Sequence, residues 1–239
     1  MGRRAGALTA LAILVSAATL ASQSPPAEFP DWMKDLLPKT ADEKARAGAF
    51  DSSGGFPLEL GGHRVATACG DIARGSTTRL YSEYVADLAC GFDSIVVASS
   101  NPITSRLNNR GTFIFTEHAM PVDRWLFPPS TSATEVEVLV EGGTVNVGSQ
   151  STRVSVGEDL KAGRRYLLFL RRVSGTNAFV ISGTALHEAL GWTNRLTGLP
   201  MRPIPDEIAK NEIPFDRFID DLAIAAGNCR PPTRFGAAS

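Results

Sequence analysis

Histidines are the first side chains to consider as catalysts or metal ligands, because imidazole titrates near neutral pH and binds metals. The chain has three of them, His63, His118 and His187. His187 and Glu188 begin like the H-E-x-x-H motif of zinc proteases, but Gly191 stands where that motif has its second histidine. One imidazole on a helix turn does not supply the two ligands that zinc needs there. The sequence therefore predicts no metal site, and we expect no cofactor.

His118 comes nearest to a candidate catalytic residue. It follows Glu117 at the end of a predicted strand, where successive side chains point to opposite faces. One interpretation is a base that a carboxylate elsewhere in the chain orients. The favoured interpretation is a strand residue that faces solvent or a loop. We therefore assign no catalytic residue, and an enzyme would need His118 or His187 beside a nucleophile or a metal.

The sequence contains no nucleophile or nucleotide motif. Residues 148–151 (G-S-Q-S) come closest to a G-x-S-x-G elbow, and the pattern predicts a hairpin tip there. Cys90 and His118 could form a dyad, but a disulfide is the expected fate of a cysteine in an exported chain. Neither G-x-G-x-x-G nor G-x-x-x-x-G-K-[ST] occurs.

The overall charge does not indicate a nucleic-acid binder. The 239 residues include 24 basic and 25 acidic side chains, which leaves a net charge of −1. Proteins that bind a polyanion usually carry a basic surplus on one face. We therefore expect no nucleic-acid partner.

The first residues have the layout of a secretory signal peptide. Arg3 and Arg4 form a basic start, and residues 7–20 form an uncharged, largely apolar stretch. That stretch is shorter than the roughly 20 residues that span a bilayer. With small residues at Thr19 and Ala21, we predict cleavage after Ala21 and export to a periplasm or out of the cell. An uncleaved anchor and a buried N-terminal helix are the alternatives. No second apolar run has spanning length, so we expect no transmembrane span after cleavage.

The chain has three cysteines, Cys69, Cys90 and Cys229. After export they would be in an oxidising compartment, where disulfides form. One disulfide and one free thiol are the default there, and all three pairings are possible. We favour Cys69 with Cys90, because they flank one predicted helix, and such a bridge stabilises by roughly 2–4 kcal/mol. No C-x-x-C spacing occurs, so the pattern predicts neither a thioredoxin-like motif nor a zinc ribbon.

The pattern of apolar residues and chain breakers divides the chain into five segments. They are a signal peptide (1–21), a loosely structured segment (22–75), a helix plus β-barrel domain (76–185), a C-terminal extension with a helix (186–229) and a disordered tail (230–239). Helical spacing predicts one helix over 78–90. It predicts a second from Pro214 to Gly227, with Phe215, Phe218, Ile219 and Leu222 as its apolar face.

Between residues 93 and 182 the period changes from that of a helix to that of a strand. Five to seven short strands are predicted, with turns at 108–111 and a glycine hairpin at 142–143. No helical pattern lies between them. Strands without crossover helices predict an antiparallel sheet, and this number of strands favours a small barrel or a sandwich.

Four motifs lie in a characteristic order within residues 86–170. They are 93–97 (D-S-I-V-V), 111–117 (G-T-F-I-F-T-E), the glycine pair 142–143 and 163–170 (G-R-R-Y-L-L-F-L). In this order they resemble uncharacterised secreted bacterial proteins whose barrel is OB-like and similar to netrin-like and TIMP-like domains. The resemblance implies a mainly β, small antiparallel barrel with flanking helices, α+β overall.

Netrin-like inhibitors of metalloproteases use a cysteine at the mature N-terminus, whose amine chelates the zinc. Ser22 would be the first residue here, and the nearest cysteine is Cys69. The resemblance therefore does not imply protease inhibition by that route.

The expected function is that of an exported, non-enzymatic binding or interaction module. Its partner would be a protein or another envelope or extracellular ligand. Barrels of this kind bind through loops and one sheet face, which here include residues 100–111 and 127–134. An exported hydrolase with scattered active-site residues is the alternative, and a self-associating envelope component is a third possibility.

Overall fold

The computed structural model describes residues 29–53, 58–66, 80–128, 132–156, 160–187, 199, 203–210 and 212–229. The helices within them are α1 Asp31–Lys34, α2 Ala41–Gly48, α3 Tyr81–Cys90, α4 Asp206–Ala209 and α5 Phe215–Gly227. The strands are β1 His63–Ala66, β2 Ser94–Ser99, β3 Pro102–Leu107, β4 Ile114–Phe127, β5 Glu135–Glu141, β6 Gly143–Val147, β7 Gln150–Val156, β8 Arg165–Arg172 and β9 Phe179–His187. None of these helices combines the length and the hydrophobicity that a membrane crossing requires. The predicted signal peptide, the predicted tail and Cys69 lie outside the described residues.

Five of the strands close into a barrel. Neighbours follow the order β2-β8-β9-β5-β4, and β4 pairs back with β2. The first four barrel strands along the chain lie in the order β8-β2-β4-β5 and are antiparallel, which is a Greek key. Strand β9 completes the ring, antiparallel to β8 and parallel to β5. The prediction of a mainly β small barrel with flanking helices is confirmed, with this one parallel pair inside the barrel.

Strand β3 continues β2 after a short break at Ser100 and Asn101. Strand β2 pairs with the second half of β4, and β3 pairs with its first half. The two form one long, interrupted arm of a hairpin with β4. The predicted turn at 108–111 is confirmed at its tip, where the backbone N–H of Gly111 bonds the carbonyl of Asn108 at 3.0 Å. Of residues 100–111, which were expected among the binding loops and sheet face, the half from Pro102 to Leu107 is therefore strand.

Strand β8 of the barrel is apolar on both of its faces. On β8, Tyr166, Leu168 and Leu170 belong to the cluster that fills the barrel. Leu167 and Phe169 on the same strand face outward into a second cluster. Alternate residues of a strand point to opposite sides. A continuous apolar run therefore marks a strand that is covered on both sides.

Helices α3 and α5 cover one outer face of the barrel. Helix α3 buries Tyr84 and Leu88, and α5 buries its predicted apolar face. Both helices share one apolar cluster with outward residues of β2 and β8, among them Ile95 and Phe169. The helices predicted from periodicity are thus confirmed, and their apolar faces meet on the barrel.

A disulfide joins the ends of these two helices. Cys90 closes α3, Cys229 follows α5, and their Cα atoms are 5.4 Å apart. The predicted bridge from Cys69 to Cys90 is therefore wrong. Proximity along the chain favoured Cys69, whereas the packing of α5 beside α3 brings in a cysteine that is 139 residues away.

The N-terminal segment covers a second outer face, at the first half of β4. Phe50 stacks on Phe115 with ring centroids 4.8 Å apart. Instead of a loosely structured segment, its described part contains α1, α2 and β1. Thr40 and Glu43 cap α2 reciprocally through a capping box. That S/T-x-x-E spacing is the sequence signal that would have predicted α2.

Strands β6 and β7 form a separate hairpin, with β1 added in parallel to β7. The predicted hairpin tip at 148–151 is confirmed in the turn between them. The predicted hairpin turn at 142–143 is wrong, because β5 pairs with β4 and β9 instead of β6. Gly142 and Gly143 have φ angles of 89° and 133°, and the chain leaves the barrel there for the second sheet.

Candidate functional site

An open cleft lies where one end of the barrel meets the β6–β7 hairpin. Its volume is about 260 Å³, and it is lined by residues of β3 to β7 and of the segment before β8. The polar lining residues are Ser105, Thr116, His118, Glu141, Thr144 and Arg153. The corner at Gly142 and Gly143 creates this cleft, because it directs β6 across the end of the barrel.

A chain of hydrogen bonds connects the two sheets along one wall of the cleft. The backbone N–H of Thr144 donates to Ser105 Oγ at 3.3 Å, and that oxygen lies 3.0 Å from Thr116 Oγ1. Thr116 in turn donates to the carbonyl of Gly142 at 2.8 Å. A side chain at Gly143 would collide with Thr116 and Ser105, so the close approach of the sheets requires glycine there.

His118 lies at the buried end of the cleft. Its side chain belongs to the inward face of β4, and the residue is 3% exposed. The favoured interpretation of His118 as a residue facing solvent or a loop is therefore wrong. Its Nδ1 lies 3.0 Å from Ser100 Oγ, and Ser100 is 2% exposed. The break between β2 and β3 places Ser100 at this point.

The hydrogen bonding assigns the tautomer of His118. Among the described residues, His118 Nδ1 is the only partner of the Ser100 hydroxyl, so that hydroxyl donates to it. A buried O–H without an acceptor would be costly. The proton of the neutral ring is then on Nε2, which has no hydrogen-bond partner among the described residues. Burial lowers the pKa of His118 to about 4, so the ring is neutral at pH 7.

Glu117 does not orient His118, because it points to the opposite face of β4 as predicted. Its carboxylate lies 3.3 Å from Arg106 Nε and 3.9 Å from Arg46 Nη1, beneath α2. Arg46 also pairs with Glu137 of β5 and with Asp42. Burial raises the pKa of Glu137, against the opposing effect of Arg46. These ion pairs join the N-terminal segment to the outer face of β4 and β5.

The described residues do not assemble a catalytic triad. Ser100 is too buried for a substrate to reach, and a base with a pKa near 4 is poorly matched to neutral pH. The dyad of Cys90 with His118 does not form, since Cys90 is bonded to Cys229. In the part of the chain that the structure describes, no group of three His, Cys, Asp or Glu side chains could hold a metal ion.

The other predicted site residues lie apart from this cleft or outside the described side chains. His63 is in β1, and His187 ends β9 opposite Arg165. Of the expected binding loop at 127–134, residues 129–131 lie outside the described part. The remainder is near the far end of β4, where Trp125 Nε1 donates to the carbonyl of Ala133 at 2.6 Å.

Sequence reasoning missed Ser100 and Arg153. The bond from Ser100 to His118 spans 18 residues and depends on the break after β2. Arg153 reaches the cleft only because the chain changes sheets after β5. The alternation in β4 did contain a signal, since His118 has the same parity as the inward, apolar Met120.

Neither a protein-family model nor a curated protein matches this chain. The geometry and chemistry of the cleft therefore carry the functional argument.

Proposed function

We propose that this protein is an exported binding module without enzymatic activity, and that it binds its ligand in the cleft beside His118. The observation that carries the proposal is the arrangement of His118. The ring offers Nε2–H to the open cleft, while its potential nucleophile, Ser100, is enclosed behind it. Such a site provides hydrogen bonds and shape for a ligand, but no accessible nucleophile.

Two features support export. The first 21 residues have the basic start, apolar stretch and small residues of a signal peptide. The disulfide from Cys90 to Cys229 is the kind of bond that persists in oxidising compartments. The mature protein would then act in a periplasm or outside the cell.

The Greek-key order of the five strands supports an OB-like barrel, as does the resemblance of residues 86–170. OB barrels bind ligands on the face of their second and third strands and through neighbouring loops. The corresponding strands here are β4 and β5. Their outer face is covered by Phe50 and by the ion pairs of Arg46. The cleft at the end of the barrel remains open, so we assign binding to it.

The partner class that we propose is a protein or another envelope or extracellular ligand, and not a nucleic acid. The test is affinity capture from envelope and secreted fractions with residues 22–239, at low and high salt. Thr144→Trp fills the cleft from β6, and Asn146→Trp is its matched control. Both positions are exposed on β6, but only Thr144 lines the cleft.

We expect a stoichiometric partner that survives high salt with the wild type and with Asn146→Trp, and its loss with Thr144→Trp. Equal capture by both variants would show that the partner does not bind in the cleft. An empty capture by the wild-type protein would refute the binding module.

An exported hydrolase is the second candidate, because a serine and a histidine lie within hydrogen-bonding distance. It requires an opening motion that exposes Ser100. A hydrolase substrate panel tests it. Turnover that disappears in both Ser100→Ala and His118→Ala, with the fold retained, would favour the hydrolase over the binding module.

A further inference from the structure

His118 presents a hydrogen-bond donor to the cleft. His118 is almost fully buried, and Ser100 occupies its Nδ1. The Nε2–H of the ring therefore has no acceptor among the described residues, although the ring lines the cleft. Because the cleft is open, a ligand that places an acceptor there takes the position of water and keeps the donor bonded.

The protons of the neighbouring hydroxyls are already used in hydrogen bonds within the protein. Thr116 donates its proton to the carbonyl of Gly142. Ser105 already accepts the backbone N–H of Thr144, and its own proton can bond Thr116. Of these side chains, His118 is therefore the one with a donor left for a ligand, and that donor bonds an acceptor group.

The rest of the lining adds apolar surface and one charge of each sign. Val140 and Leu160 supply aliphatic contacts. Glu141 accepts a hydrogen bond from Ser53 at 3.0 Å, and Arg153 adds a positive charge. An ionised carboxylate is an acceptor-only group, and an N–H donor bonds it more strongly than it bonds a neutral acceptor. An aliphatic stem behind the carboxylate would contact the apolar residues.

We propose that the cleft is a subsite for an aliphatic carboxylate, which accepts a hydrogen bond from His118 Nε2–H. The inference rests on the proposed binding function and gives the chemistry of the ligand. The carboxylate could belong to a small free acid or to the C-terminus of a polypeptide, since both present the same group.

Ring NMR of histidine tests the proposal directly, because the chain has only three histidines. Residues 22–239 are labelled with ¹⁵N-histidine, and His118→Gln assigns the His118 signals. The probes are butyrate, butyramide and inorganic phosphate at matched ionic strength. A second arm compares N-acetyl-dialanine with its C-terminal amide and separates a peptide terminus from a free acid.

We expect butyrate to shift the Nε2 and Nε2–H signals of His118 saturably, with millimolar affinity. Butyramide and phosphate should leave them in place. Thr144→Trp should weaken butyrate binding by more than about tenfold, because the indole would exclude the ligand and so remove its hydrogen bond with His118. Asn146→Trp should leave butyrate binding unchanged. A shift with N-acetyl-dialanine but not with its amide would extend the site to peptide C-termini, and no shift would restrict it to free acids.

Two results would overturn the proposal. One is an unmoved His118 signal with butyrate, and the other is an equal shift with butyramide. Partner capture separates this failure from failure of the binding function. Capture that depends on the cleft, without a butyrate shift, would refute only the carboxylate. A butyrate shift with an empty capture would support the subsite and refute the protein partner.

Discussion

His118 should make the stability of the protein depend on pH in the mildly acidic range. Burial lowers the pKa of its ring from 6.5 to about 4. Between these values the unfolded chain binds a proton at His118 that the folded chain does not bind. The free energy of unfolding should therefore fall as the pH decreases through this range. The interval between the two pKa values corresponds to about 3 kcal/mol of unfolding free energy. The folded protein has this stability at pH 7 and has lost it at pH 4.

Urea unfolding of the wild type and of His118→Gln at a series of pH values measures this contribution. Every other titrating group is common to the two proteins, so the difference between their unfolding free energies isolates His118. Glutamine retains an amide that can bond Ser100. We expect the stability of the wild type relative to the variant to decrease by about 3 kcal/mol between pH 7 and pH 4. A difference that stays constant with pH, or a ring that titrates near 6.5 by NMR, would refute the burial argument.

Three further predictions concern the elements around the cleft. Cys229→Ser removes a crosslink that closes 139 residues and should cost about 2–5 kcal/mol of unfolding free energy, and a reductant should bring the wild type to the same urea midpoint. Gly143→Ala should lower the free energy of unfolding by about 1–3 kcal/mol, because φ is 133° and the added methyl group would collide with Thr116. Gly148→Ala, which places its methyl group in open space, is the control and should lower it by about 1 kcal/mol. Equal losses in the two variants would contradict the collision at Gly143. Glu117→Gln should lower the free energy of unfolding by about 1–3 kcal/mol at pH 7, because Arg46 and Arg106 both lose a buried carboxylate partner. Thermal unfolding measures the change. Unchanged stability would refute this contribution and show that the other carboxylates near Arg46 and Arg106 are sufficient partners.

The sequence predicts those parts of the fold that depend on local periodicity. The apolar face of α5 and the buried run of β8 follow from spacing alone, because alternate or helical positions determine which side chains share a face. The partners of those faces depend on packing between distant segments. This is why the pairing of Cys229 was missed, and why Gly142 and Gly143 were expected to form a hairpin. Their positive φ angles suit either a hairpin or a corner, and only the pairing of β5 with β9 distinguishes the two.

The candidate site shows the same division between local and distant information. The position of His118 on an inward face follows from the alternation in β4, but its burial depends on how the barrel closes. Ser100 could not be predicted as the partner of His118, because no spacing rule links a residue at a strand break to a histidine on a neighbouring strand. The charge of Arg153 was visible in the sequence, whereas its place in the lining depends on the corner after β5.

The covering of the β4–β5 face decides where a ligand can bind. Phe50, Met33 and Leu58 are all buried in one cluster with outward residues of the barrel. Each such side chain contributes about 1.5–3 kcal/mol on burial, so undocking the N-terminal segment would expose several of them at once. The same movement would separate Arg46 from Glu117 and Glu137. A ligand that displaced this segment would have to offset all of these losses, whereas a ligand in the cleft finds an existing cavity and the Nε2–H donor of His118. Binding at the end of the barrel therefore requires less free energy from the ligand than binding on the covered sheet face.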